Sequence, residues 1–101
     1  MEIGVVLDGN RLILSPKGVL DSNTGDGLAK ALDENVTDDI CVIEFDMTDV
    51  DYISSKGLRI ITAAYKDIKE RGSVRVSNCN RAVHEIFTIS GLDKKFISVG
   101  D

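Results

Sequence analysis

Apolar positions along this chain follow two rhythms, and the switches between them mark out the elements. Ile3 to Leu7 is a short β-prone run that ends at the turn signal Asp8-Gly9-Asn10, and Leu12, Ile13 and Leu14 resume after it. This predicts a hairpin, hence an antiparallel pair. Pro16 lacks a ladder donor, so the second strand should end or bulge there. Leu20-Asp21-Ser22-Asn23-Thr24 has the polar chemistry of a helix start, and Leu28, Ala31 and Leu32 follow at helical spacing. Gly25 and Gly27 each weaken that first turn by roughly 1 kcal/mol relative to Ala if they lie inside it.

Ile40 to Phe45 is apolar except for Glu44 and suits a strand covered on both faces. Leu58, Ile61, Ala64, Tyr65 and Ile68 recur at intervals of three and four, the stripe of an amphipathic helix closed by Arg71-Gly72. Val74 and Val76 flank Arg75 in a further strand. Val83, Ile86 and Phe87 form one face of a third helix that stops at Ser90-Gly91, and Phe96 to Val99 makes a last short strand. The predicted order is β-β-α-β-α-β-α-β. An initial hairpin followed by strand–helix alternation implies an α/β fold with a mostly parallel sheet of about five strands and an antiparallel edge strand.

The length of 101 residues suits one domain spanning 1–101. A formal net charge of −5, with basic residues interleaved among Asp67 and Glu70, excludes a phosphate-neutralising stripe and so predicts no nucleic-acid binding. Cys41 and Cys79 lack metal-ligand spacing and read as free thiols of a reducing compartment, with a disulfide the lesser alternative. The N-terminus has no signal-peptide pattern, and no apolar segment approaches a membrane span. The expectation is a cytoplasmic protein that does not insert into membranes.

Chemistry concentrates between Asp46 and Leu58. An apolar strand delivers Ser54-Ser55-Lys56-Gly57 to a helix start, where hydroxyls and unpaired N–H groups suit a phosphate, another anion or a partner protein. Asp21 and Asp46 each stand at the C-terminal end of a predicted strand, the edge where α/β folds gather their sites. Metal or acid–base roles are open to both, but capping suits Asp21 and a loop role suits Asp46. His84 reads as a surface or half-buried helix residue. No nucleophile elbow, P-loop or dinucleotide fingerprint occurs, and neither serine has a credible base, so no enzyme, cofactor or metal is expected.

Three segments together resemble the STAS domain, the module shared by bacterial anti-sigma-factor antagonists and the tails of sulfate transporters. Gly18-Val19-Leu20-Asp21-Ser22-Asn23-Thr24 is similar to the family's G-x-L-D. Asp46-Met47-Thr48 through Tyr52-Ile53-Ser54-Ser55-Lys56-Gly57-Leu58 follows its D-L-S…[YF]-[IM]-[DS]-S-[SA]-G-L. Ala82-Val83 with Ile86-Phe87-Thr88-Ile89-Ser90-Gly91-Leu92 resembles its A-V…L-F…S-G-L. The resemblance implies an anti-sigma-factor antagonist that docks onto an anti-sigma factor of the serine-kinase type, is switched off by phosphorylation and is restored by a phosphatase. It also implies a partner-binding surface made of Asp21, Ser22, Thr24, Asp46, Thr48, Ser54, Ser55, Lys56 and Gly57. The alternative within the family is a subunit of a transporter or lipid-transport complex. The family's C-terminal helix should be reduced or missing here, and the expected state is a monomer or weak homodimer.

One departure bears on mechanism. Lys56 stands where the family carries its phosphorylated serine, so the chain is either permanently competent to bind, or uses Ser55 as its phosphoacceptor, or answers to a partner that is not a kinase. Ser54 and Ser55 also read as helix caps contributing about 1 kcal/mol. Lys56 reads either as a tolerated surface residue or as a contact for an acidic group on a partner.

Overall fold

The computed structural model describes residues 3–91. Two strands, β1 (Ile3–Asp8) and β2 (Arg11–Leu20), form the hairpin, and α1 (Ser22–Asn35) follows. Next come β3 (Val42–Asp46), β4 (Asp49–Ile53), α2 (Ser55–Ile68), β5 (Ser73–Ser77) and α3 (Arg81–Ser90). The strands make one sheet in the order β1-β2-β3-β5, with β4 beside the far half of β2. Among the described strands only the β1–β2 pair is antiparallel; β2–β3, β2–β4 and β3–β5 are parallel. The predicted class, strand number and antiparallel edge all hold. The predicted strand Phe96 to Val99 and the C-terminal helix lie outside the described residues.

Three local expectations need correction. First, β2 does not end at Pro16 but runs on to Leu20. Pro16 sits opposite Ile3, where pairing with β3 has ended at Leu14 and pairing with β4 has yet to begin at Lys17. A missing donor costs least in such a gap. The irregularity comes later, between Gly18 and Val19. Second, Asp49–Ile53 is a strand, not a loop, so the order is β-β-α-β-β-α-β-α over the described residues. Third, β3 is covered on one face only: Ile43 and Phe45 are buried, whereas Val42, Glu44 and Asp46 are half-buried. On that second face Arg11 pairs with Glu44 at 3.6 Å, and the Ser77 hydroxyl donates to Glu44 at 3.2 Å.

The core lies where the sheet's alternating positions meet the helices. Leu12 and Leu14 of β2, Ile43 and Phe45 of β3, and Val74 and Val76 of β5 are fully buried with Leu28, Ile61, Ile68, Val83 and Phe87 from the helices. A period of two on the strands and of three to four on the helices produces this layer. Arg71 closes its own helix as expected, donating to the Asp67 carbonyl at 3.2 Å. Its guanidinium also donates to the carbonyls of Ile40 at 3.1 Å and Thr37 at 3.2 Å, fixing the loop that leads from α1 into β3.

Candidate functional site

Two helices start side by side at the end of β2 and β4. Leu20 is paired with Ile53, and the Ser54 amide donates to the Leu20 carbonyl at 2.8 Å. Each chain then turns into a helix through its own capping chemistry. Asp21 caps α1: its carboxylate accepts from the amides of Asn23 at 2.9 Å and Thr24 at 3.1 Å. In return the Thr24 hydroxyl accepts from the Asp21 amide at 2.8 Å and donates to the Val19 carbonyl at 2.5 Å. The amide of Thr24, then that of Asn23, holds the Asp21 carboxyl below the usual carboxylate range.

Ser54 caps α2 by accepting from the Gly57 amide at 3.4 Å. Ser55 is the first helical residue and is exposed. Neither helix carries an acidic residue in its first turn, but the Asp21 carboxylate sits on the positive end of α1, whereas α2 is capped by the neutral Ser54 hydroxyl. Gly57 is buried, and its role is spatial: a Cβ there would lie 2.6 Å from Ile53 Cγ1 and 3.2 Å from Leu20 Cβ. Only glycine lets α2 descend this close to both strands.

Lys56 bridges the two helix starts. Its Nζ lies 2.8 Å from Asp26 Oδ1 on α1. Its stem lies along Gly25, where a Cβ would come within 3.5 Å of Lys56 Cγ and 2.9 Å of Ile60 Cδ1. The two side chains are 39% and 75% exposed, so the pair sits at the surface.

The structure therefore brings together Asp21, Ser22, Thr24, Ser54, Ser55, Lys56 and Gly57. It sets Asp46 and Thr48 apart, because the five residues of β4 intervene, ~16 Å along the strand direction. Asp46 organises its own turn there. It accepts from the Thr48 hydroxyl at 2.6 Å, the Thr48 amide at 3.1 Å and the Asn78 side-chain amide at 3.0 Å. The Thr48 hydroxyl first, and then Asn78, hold its carboxyl below the usual range.

Sequence reasoning missed three residues near this surface. Val19 and Tyr52 are paired directly across β2 and β4 and are 41% and 49% exposed, forming an apolar spot beside the helix starts. Asn80 caps α3 through the Val83 amide at 2.8 Å, and its side-chain amide donates to the carbonyls of Val50 and Asp51 in β4. The signal for Val19 and Tyr52 was the tyrosine itself, but their pairing depends on a strand that the pattern hid.

Neither serine hydroxyl bonds to a base among the described residues, and Ser54 accepts from the Gly57 amide. Among the described residues no three His, Cys, Asp or Glu side chains gather to hold a metal ion, and no helix is long and apolar enough to cross a membrane. A family profile for the STAS domain matches residues 3–100. The chain belongs to the STAS domain family.

Among proteins similar to this STAS domain is an anti-sigma F factor antagonist of Paenibacillus polymyxa. It is 32% identical over 85 residues, covering 82% of this chain and 73% of the relative. A crystal structure of an anti-sigma factor antagonist from Mycobacterium paratuberculosis superposes with a TM-score of 0.85 at 28% identity, covering 96% of this chain and 83% of that one. An anti-sigma-factor antagonist (STAS) domain protein from Planctomyces limnophilus gives 0.85 at 16% identity, with 97% and 88% covered, a likeness of fold. Homology thus lies with anti-sigma-factor antagonists.

Proposed function

We propose that this chain is an anti-sigma-factor antagonist that docks on a serine-kinase type of anti-sigma factor through the paired helix starts. The observation that carries the reading is the bond from the Ser54 amide to the Leu20 carbonyl, which sets two capped N-termini side by side. The Val19–Tyr52 spot beside them supplies an apolar anchor, and a half-exposed tyrosine is a good one. Homology with the antagonists from Paenibacillus polymyxa and Mycobacterium paratuberculosis supports the partner class.

Ser55 is the phosphoacceptor in this reading, because Lys56 occupies the usual position and lysine cannot accept the group. Ser55 shares a shallow groove with Leu58, Arg59, Thr62, Ala63 and Lys66. A phosphate of charge about −2 at a helix start, with Arg59 one turn on, would be well tolerated by the domain itself. Its effect would fall on the partner. Asp46 and Thr48 form a separate rim of the contact.

The test is titration against purified anti-sigma factors of the kinase type, with intact-mass analysis after incubation with ATP. Ser55→Asp is expected to weaken binding at least tenfold without changing the melting temperature, Tyr52→Ala to weaken it comparably, and Ser55→Ala to abolish phosphate uptake. Undiminished binding by both Ser55→Asp and Tyr52→Ala would refute the docking surface.

A further inference from the structure

The free edge of the sheet carries its own message. Among the described strands β1 has one neighbour, β2, and none of them pairs with its other side. A two-residue loop places Asp8 opposite Arg11. In such hairpins the residues flanking the loop exchange both backbone bonds, and bonding then alternates along the strand. Asp8, Val6 and Gly4 therefore turn their N–H and C=O groups toward β2. Leu7, Val5 and Ile3 turn theirs outward.

That outward row is symmetric about Val5. We propose that β1 is a self-association edge, at which two copies of the chain pair antiparallel about a twofold axis at Val5. Val5 then faces Val5, and Ile3 of each copy faces Leu7 of the other. All three outward residues of both copies become hydrogen-bonded pairs, and the register preserves the same face in both molecules, as a twofold axis normal to the sheet requires. A row of backbone groups that no described strand pairs suits a strand as its occupant, and its symmetry about Val5 lets a second copy of β1 fill it in register.

Side chains and charge agree with that occupant. Val5, Val6 and Leu7 are 42%, 52% and 58% exposed, and no Lys, Pro or bulge guards the edge. Val5 and Leu7 flank Leu14 and Leu12, both fully buried, so the paired row of Ile3, Val5 and Leu7 would extend the existing apolar layer. On the other face Val6 of one copy comes opposite Gly4 of the other, where no side chain competes for space. The chain carries a net charge of −5, and within β1 only Asp8 at its end is charged, opposite Arg11 of β2.

The interface is small, so dimerisation should be weak and visible across about 10 μM to 1 mM. Sedimentation of the full chain over this range is expected to show mass rising toward that of a dimer. Amide exchange is expected to slow with concentration at Ile3, Val5 and Leu7, while Gly4, Val6 and Asp8 stay protected throughout. Val5→Pro removes an outward N–H that β2 does not use, and Val5→Lys places a charge on the axis. Both should stay folded by circular dichroism and remain monomeric. A monomer at every concentration, or a dimer untouched by a folded Val5→Lys, overturns the proposal; a strand from another protein would then be the occupant to seek.

Discussion

At the scale of single residues, short side chains at helix starts do most of the organising. The folded values of the Asp21 and Asp46 carboxyls lie below the ordinary one. Because a lowered carboxylate favours the folded state, their contribution is complete above the unfolded value of about 4 and is lost as pH falls through the folded values. Urea midpoints measured from pH 7 down to pH 2 should therefore decline less steeply in Asp21→Asn combined with Asp46→Asn than in the parent. Lys56→Ala removes a surface ion pair, for which about 1 kcal/mol or less is expected by urea titration, a loss that added salt also erodes. These roles were partly legible beforehand. Asp21 and Ser54 act on amides two or three positions away, and such local chemistry is written in the residue order. The Lys56–Asp26 pair spans thirty positions and was visible only once the helices were placed.

Elements are held at their spacing by what glycine leaves out. At Gly57 an added methyl would strike Ile53 Cγ1 and approach Leu20 Cβ, both at rigid, buried positions. Gly57→Ala should cost about 1–3 kcal/mol in thermal or urea unfolding, as overpacked sites do. Gly25 meets the free end of Ile60, which can swing aside, and Ala would gain about 1 kcal/mol of helix propensity there. Gly25→Ala should consequently change stability little, and the contrast between the two glycines is the check. The helices, the hairpin and the strands β3 and β5 were readable from apolar periodicity. Strand β4 was not, because Asp-Val-Asp-Tyr-Ile carries two residues depleted in strands, and only pairing with β2 makes it one. Missing that strand joined Asp46 and Thr48 to a surface from which they are separated. Arg71 was legible in part: its bond to the Asp67 carbonyl is the helix-end contact that a cation there suggests, whereas two further partners lie 31 and 34 positions back.

The whole molecule depends on one apolar layer shared by sheet and helices. Phe45 and Phe87 are the bulkiest fully buried side chains in it. Truncating either to alanine should cost about 3–5 kcal/mol, a large share of the roughly 5–15 kcal/mol available to a domain. Denaturation midpoints should fall accordingly, Phe45→Ala and Phe87→Ala alike. Fold class and antiparallel edge were recoverable from the chain because this layer has a clear alternation.

Strand β2 serves different neighbours along its length: β1 and β3 at its start, β4 at its end. Asn80 ties the opening of α3 to the β4 backbone as well. The helix starts thus couple to α3 through β4 and Asn80, and to the rest of the sheet through the packing of α1 on β1 and β2 and of α2 on β5.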